Sequence, residues 1–151
     1  MSIKAIDISL PPVQALGAGV AEALKGSIYS ARCDAVVIGT DTQPATLFNV
    51  PKFVRIDDIK IHTTTALTGA DPDFLVVGVS TDTDMFHSSS DAVNAGSHSA
   101  NKGDALRAGG MDTSTGSIQV TANWSTGSSA GEFWAEILYR GMADENFAEN
   151  P

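Results

Sequence analysis

Apolar positions in this 151-residue chain recur mostly at every second residue, in short runs separated by Ser, Thr, Gly, Asp and Pro. A period of two marks strands with one buried face. In residues 117–124, Ile118, Val120, Ala122 and Trp124 share one face, and Ser117, Gln119, Thr121 and Asn123 share the other. Residues 132–141 repeat the pattern, with Phe133, Ala135, Ile137 and Tyr139 on one side and Glu132, Trp134, Glu136, Leu138 and Arg140 on the other. Residues 45–50 and 53–65 predict two further strands split by Pro51, which cannot donate to a ladder and so sits at a strand start, an edge or a bend. Val54 and Ile56 have one parity and Ile59 and Ile61 the opposite one. Asp57-Asp58 therefore predicts a bulge or a kink, because a strict alternation would send one apolar pair into water.

Continuous apolar runs at 31–40 and 74–79 predict strands covered on both faces. Residues 2–9 alternate as a first strand or extended arm, ended by Pro11-Pro12. Val13, Leu16, Val20, Ala21, Leu24 and Ile28 fit a helical period, but Gly17 and Gly19 interrupt it. A short helix and an arm that orders on a neighbour are both open there. Thr81 or Asp82 predicts the cap of a helical turn over 82–87. The Ser-rich stretch 88–101 predicts a loop, 105–111 a short edge strand, and 125–131 a hairpin loop.

About eight strands with turn signals between them suit a jelly roll or a related sandwich. The expected fold is all-β: a single jelly-roll-like β-sandwich with an N-terminal arm or short helix. Its parts are an arm at 1–27, the domain at 28–142 and an acidic tail at 143–151. The predicted core is Val36, Ile38, Phe48, Ile56, Val76, Ile118, Val120 and Ile137.

A chain of this length buries roughly 70% of its unfolded surface, so it needs no metal or disulfide to fold. The single Cys33 cannot form an intrachain bridge and lies in an apolar run, where it reads as a buried, inert thiol. Nine basic residues against eighteen acidic ones give a net charge of −9, and the basic residues are scattered singly. A nucleic-acid partner is not expected, because phosphate binding needs clustered Lys and Arg. The charge instead suits docking on a basic protein surface. No apolar run reaches membrane-spanning length, and residues 10–23 contain Pro11, Pro12 and Gln14 and follow Asp7, unlike a signal peptide.

Catalytic chemistry finds no frame. Asp71/Asp73 and Asp82/Asp84 have the alternate spacing of calcium loops, but neither pair continues into an EF-hand pattern, so turn and cap roles suffice. His62, His87 and His98 are far apart, lack partners at zinc-ligand spacing, and read as surface or loop residues. Ser128-Ser129-Ala130-Gly131 lacks the nucleophile-elbow frame, and Gly17-Ala18-Gly19 lacks a third glycine. The reading is a non-enzyme with no cofactor and no metal. The outward pair Trp134 and Leu138 is different, because a solvated face does not normally carry two large apolar groups. Either the chain's own N-terminal arm covers them or a subunit does. The candidate oligomer or capsid interface is Trp134, Leu138, Arg140, Val13 and Leu16.

Three motifs add a family likeness: Leu47-Phe48-Asn49-Val50-Pro51 before a long strand, Thr64-Thr65-Ala66-Leu67-Thr68-Gly69 before an apolar strand containing Gly78, and the closing Ser129-Ala130-Gly131-Glu132-Phe133-Trp134. Over residues 31–142 the chain resembles the jelly-roll structural proteins, decoration or cement-like, of tailed-bacteriophage virions, with Lys52 where that family usually has a glycine. The resemblance implies a head decoration (cement) protein located in the virion, made in the host cytoplasm, homo-oligomeric and most often trimeric, with the major capsid protein as partner. A tail or head-fibre component and a carbohydrate-binding β-sandwich module are the alternatives. The latter would use Trp124, Trp134, Tyr29 or Tyr139 as platforms.

Overall fold

The two longest alternating segments pair with each other and organise one sheet. The computed structural model describes residues 3–8, 28–88, 91–100, 111–113 and 116–141. In it, β5 (Val54–Thr68) and β11 (Ala130–Gly141) run antiparallel along nearly their whole length. β2 (Tyr29–Arg32) and β3 (Val36–Val37) line the other side of β11, while β8 (Gly96–His98) and β9 (Met111–Asp112) line the other side of β5. The second sheet has the order β1 (Ile6–Asp7), β4 (Ala45–Val50), β10 (Ile118–Trp124), β6 (Leu75–Val79), β7 (Asp82–His87). The protein is all-β, a two-sheet sandwich. Among the described residues there is no helix long and apolar enough to cross a membrane.

Both sheets turn their apolar parity inward onto one core. Phe133, Ala135 and Ile137 of β11 are fully buried, and they meet Leu47, Phe48, Val120, Leu75 and Val77 from the opposite sheet in one hydrophobic cluster. The parity switch in β5 is a bulge. Tyr139 lies opposite Ile56 and Leu138 opposite Asp58, which leaves Asp57 as the extra residue. Val54, Ile56, Ile59 and Ile61 are all 0% exposed as a result. Cys33 is 2% exposed, and burial pushes its thiol up to about 11, so it is an inert core thiol.

Between β4 and β5 the left-handed conformation falls on Phe53 (φ 66°), not on Lys52. Thr113 ties this turn down. Its hydroxyl donates to the Pro51 carbonyl (2.6 Å) and accepts from the Val54 amide (2.9 Å). These bonds offset the cost of holding a non-glycine residue at positive φ.

Several local expectations are corrected. Residues 31–40 contribute to two short strands, and Val37 is 37% exposed because it points with Glu132 to the outer face of the sheet while Val36 points inward with Phe133. The run 74–79 buries Leu75, Val77 and Val79 but leaves Phe74 exposed and Val76 half-buried, so Val76 is not a core residue. Ile118, first in β10, packs half-buried at the rim of the core.

Residues 82–87 form a strand and not a helical turn. Gly78 explains the override: a Cβ there would sit 2.1 Å from the Asp82 carbonyl oxygen, so glycine alone lets β7 close onto β6. The stretch 88–101 is not all loop, since Asp91–Val93 form a short 3-10 turn and Gly96–His98 pair with β5. Of the predicted edge strand at 105–111, Met111 belongs to β9 and the rest lies outside the described residues.

His87 is neither a surface nor a loop residue. It is 1% exposed, and its Nε2–H donates to the Ile59 carbonyl across the sandwich (2.6 Å), leaving Nδ1 buried without a partner.

Candidate interface on the outer face of the long-strand sheet

The outward residues of β11 stand between those of β2 and β5, and alternation fixes which side chains become neighbours. Trp134 pairs in register with His62, Leu138 with Asp58 and Ser30, and Glu136 with Lys60 and Arg32. The Arg32 guanidinium lies 4.0 Å from the Trp134 ring centroid. On the β5 side the His62 ring stacks at 4.0 Å, inclined by 20°. The indole is thus held between a cation and an aromatic ring, an arrangement that rigidifies a large amphipathic side chain on a sheet surface. His62 continues the row to β8 through a 2.7 Å bond between its Nδ1 and the Ser97 hydroxyl, and its Nε2 lies 3.9 Å from Glu136.

At the other end of the face, Arg140 grips the bulge. Its Nε and Nη2 donate to the two carboxylate oxygens of Asp57 at 2.9 and 3.0 Å, with Arg55 3.8 Å from the same group. The hydrogen bond to Asp57, and then its negative charge, raise the pKa of Arg140 above the ordinary guanidinium value. Two cations share one anion here, and the neighbouring Asp58, opposite Leu138, balances the second charge.

The face also carries exposed apolar groups. Among the described residues the exposed large hydrophobic side chains are Ile28 (61%), Val37 (37%) and Phe74 (38%). Val37 lies opposite Glu132 on this face, and Ile28 immediately precedes β2. With Trp134 and Leu138 they make a mixed patch of apolar groups and arginines, the composition that protein interfaces favour. Trp134, Leu138 and Arg140 are therefore brought together on one face. Val13 and Leu16 lie outside the described residues. Arg32 and His62 were not singled out from the sequence, because their neighbourhood to Trp134 depends on strand register and on no local motif.

Of the aromatic platforms considered for a glycan, Trp124 and Tyr139 are buried, Trp134 is covered on both ring faces, and Tyr29 leans on Tyr139 at 5.8 Å. Asp73 accepts hydrogen bonds from the Ala70 amide and the Ser128 hydroxyl and so anchors a turn. Among the described residues no group of three or more His, Cys, Asp or Glu could hold a metal ion.

The two-sheet sandwich has counterparts in phage capsid structures. The chain is similar to a component of the cyanophage Pam1 capsid asymmetric unit (TM-score 0.57, 15% identity, 77% of this chain and 86% of that one). It is also similar to a component of the capsid of Ralstonia phage GP4 (TM-score 0.52, 16% identity, 80% of this chain and 88% of that one). At these identities the likeness is one of fold. No protein-family model and no curated protein matches the sequence.

Proposed function

We propose that this chain is a non-enzymatic structural protein of a tailed-phage virion, a head decoration protein that binds the capsid surface as a homo-oligomer, a trimer by the family pattern. The observation that carries the reading is the shared sandwich, which spans most of this chain and most of each capsid component it resembles. The outer face bearing Trp134, Leu138, Arg140, Ile28 and Val37 supplies the docking surface, and the net charge of −9 suits a partner with a basic surface. A tail or head-fibre component would use the same face. None of Trp124, Trp134, Tyr29 and Tyr139 offers the glycan-binding alternative an open platform.

Mass spectrometry of purified particles tests the reading: the protein should co-purify with capsids at a fixed stoichiometry, and its absence would refute a virion role. Electron microscopy of the same particles separates head from tail. Trp134→Glu should weaken assembly by ~2 kcal/mol or more, as expected for an interface anchor. Light scattering would report this as smaller oligomers at micromolar concentration.

A further inference from the structure

β1 and β4 meet in a way that the rest of the fold does not require. β1 pairs parallel to β4 over two residues, Ile6 opposite Phe48 and Asp7 opposite Asn49. The Ile8 backbone amide adds one bond to the Asn49 carbonyl (2.9 Å), and the Asn49 side-chain Nδ2 donates to the Asp7 carboxylate (2.8 Å). Gln119 extends the row by donating to the Asn49 side-chain oxygen (2.9 Å). Ile8 is 4% exposed, and Ile3 and Ile6 pack on the core. This short segment therefore closes an edge that would otherwise present the unpaired backbone of β4 to neighbouring chains.

The chain then passes to β2, which belongs to the other sheet. Sheets pack about 10 Å apart, and a five-stranded sheet is roughly 20 Å wide, so either crossing needs about six extended residues. The sequence supplies nineteen, residues 9–27. Compact domains usually connect elements with four to six residues, and a connector of this length reaches roughly 60 Å when extended. That surplus is what a strand needs to close a neighbour's edge in place of its own. The bonds made are the same in either case, so exchange costs little beyond the entropy of association.

We propose that residues 3–8 are exchanged between subunits: each chain lays its β1 on the β4 edge of a second copy, with Asp7 of one chain bonded to Asn49 of the other. This inference rests on the oligomeric part of the function proposed above and names the acceptor site.

Mixed single-cysteine variants test it. Asp7→Cys and Asn49→Cys chains are co-assembled and oxidised, with Cys33 out of reach in the core. Facing residues of paired strands lie within disulfide distance, so exchange should give a disulfide-linked dimer of one chain of each kind on a non-reducing gel. Each variant oxidised alone should give no such band. The doubly substituted chain, oxidised as the assembled protein and on purified particles, should give covalent oligomers that reduction returns to single chains. A double variant that cross-links only within single chains, or mixed variants that never link, would overturn the exchange. Particles that carry such unexchanged protein would leave the virion role standing, and their lack of the protein would refute that role independently.

Discussion

The β11–β5 pair and the β1–β4 pair are both strand pairings, yet they hold the molecule in different ways. β11 and β5 share eleven registered partners from Ala130 to Gly141, and their inward residues are fully buried. β1 and β4 share two, at the rim of the other sheet. The long pair therefore carries far more of the hydrophobic free energy of the sandwich than β1 does, since that energy scales with apolar area removed from water. The β1 segment adds a few hydrogen bonds of ~1 kcal/mol each and one buried isoleucine, Ile8. An element that contributes little can be lent to a neighbour without unfolding its owner.

The largest expected effect comes from the long pair. Ile137 is 0% exposed and lies opposite Ile59 and Ala31. Ile137→Ala should lower unfolding free energy by ~2–5 kcal/mol, the transfer and cavity cost of a large-to-small change in a packed core. Ile118→Ala, at the half-buried rim, should cost distinctly less. Urea titration of both variants checks the order, and equal losses would mean that Ile118 is as tightly packed as Ile137.

Acid should act next, through His87. Burial holds its pKa below the ordinary imidazole value of about 6.5, while the bond to the Ile59 carbonyl and the charge of Asp58 oppose that and His98 adds to it. The unfolded chain therefore takes up a proton at a pH where the folded chain does not. Stability from this residue is fully present above about pH 6.5 and is lost as pH falls through the lower folded value. Unfolding midpoints measured from pH 8 to pH 5 should fall below about 6.5. His87→Gln should flatten that part of the curve, and an unchanged slope would remove His87 as its cause.

Much of this was readable from alternation alone. The inward set of β11, the Asp57 bulge and the buried Cys33 follow from parity and residue type, because a period of two leaves no freedom once one face is buried. What escaped was set by contacts distant in sequence. β7 reads as a helical turn capped by Thr81 or Asp82, and only the missing Cβ at Gly78 makes room for it as a strand. The Arg32–Trp134–His62 row joins residues of three strands whose order a pattern cannot supply. His87 looks like any polar residue after a turn until β7 carries it over Ile59.

Arg140→Ala should cost about 1 kcal/mol or less in unfolding, because the partly exposed pair with Asp57 is screened by water even though it is bidentate. Its effect should fall on assembly, read as a shift in oligomer mass that grows at low salt. A large folding defect would instead mean that the bulge depends on this pair.

Asn49→Ala makes the smallest change to the fold and gives the sharpest test of the contrast. It removes the bonds to Asp7 and from Gln119, but Asn49 faces outward and is not a core residue. Unfolding free energy should fall by no more than ~1 kcal/mol, since water replaces both partners at an accessible site. Hydrogen exchange at residues 3–8 should nevertheless rise well above that at β11, because β1 has few other bonds to hold it. If Asn49→Ala matched Ile137→Ala in lost stability, the β1–β4 edge would be part of the structural spine, and the contrast between a fixed pair and a lendable one would fail.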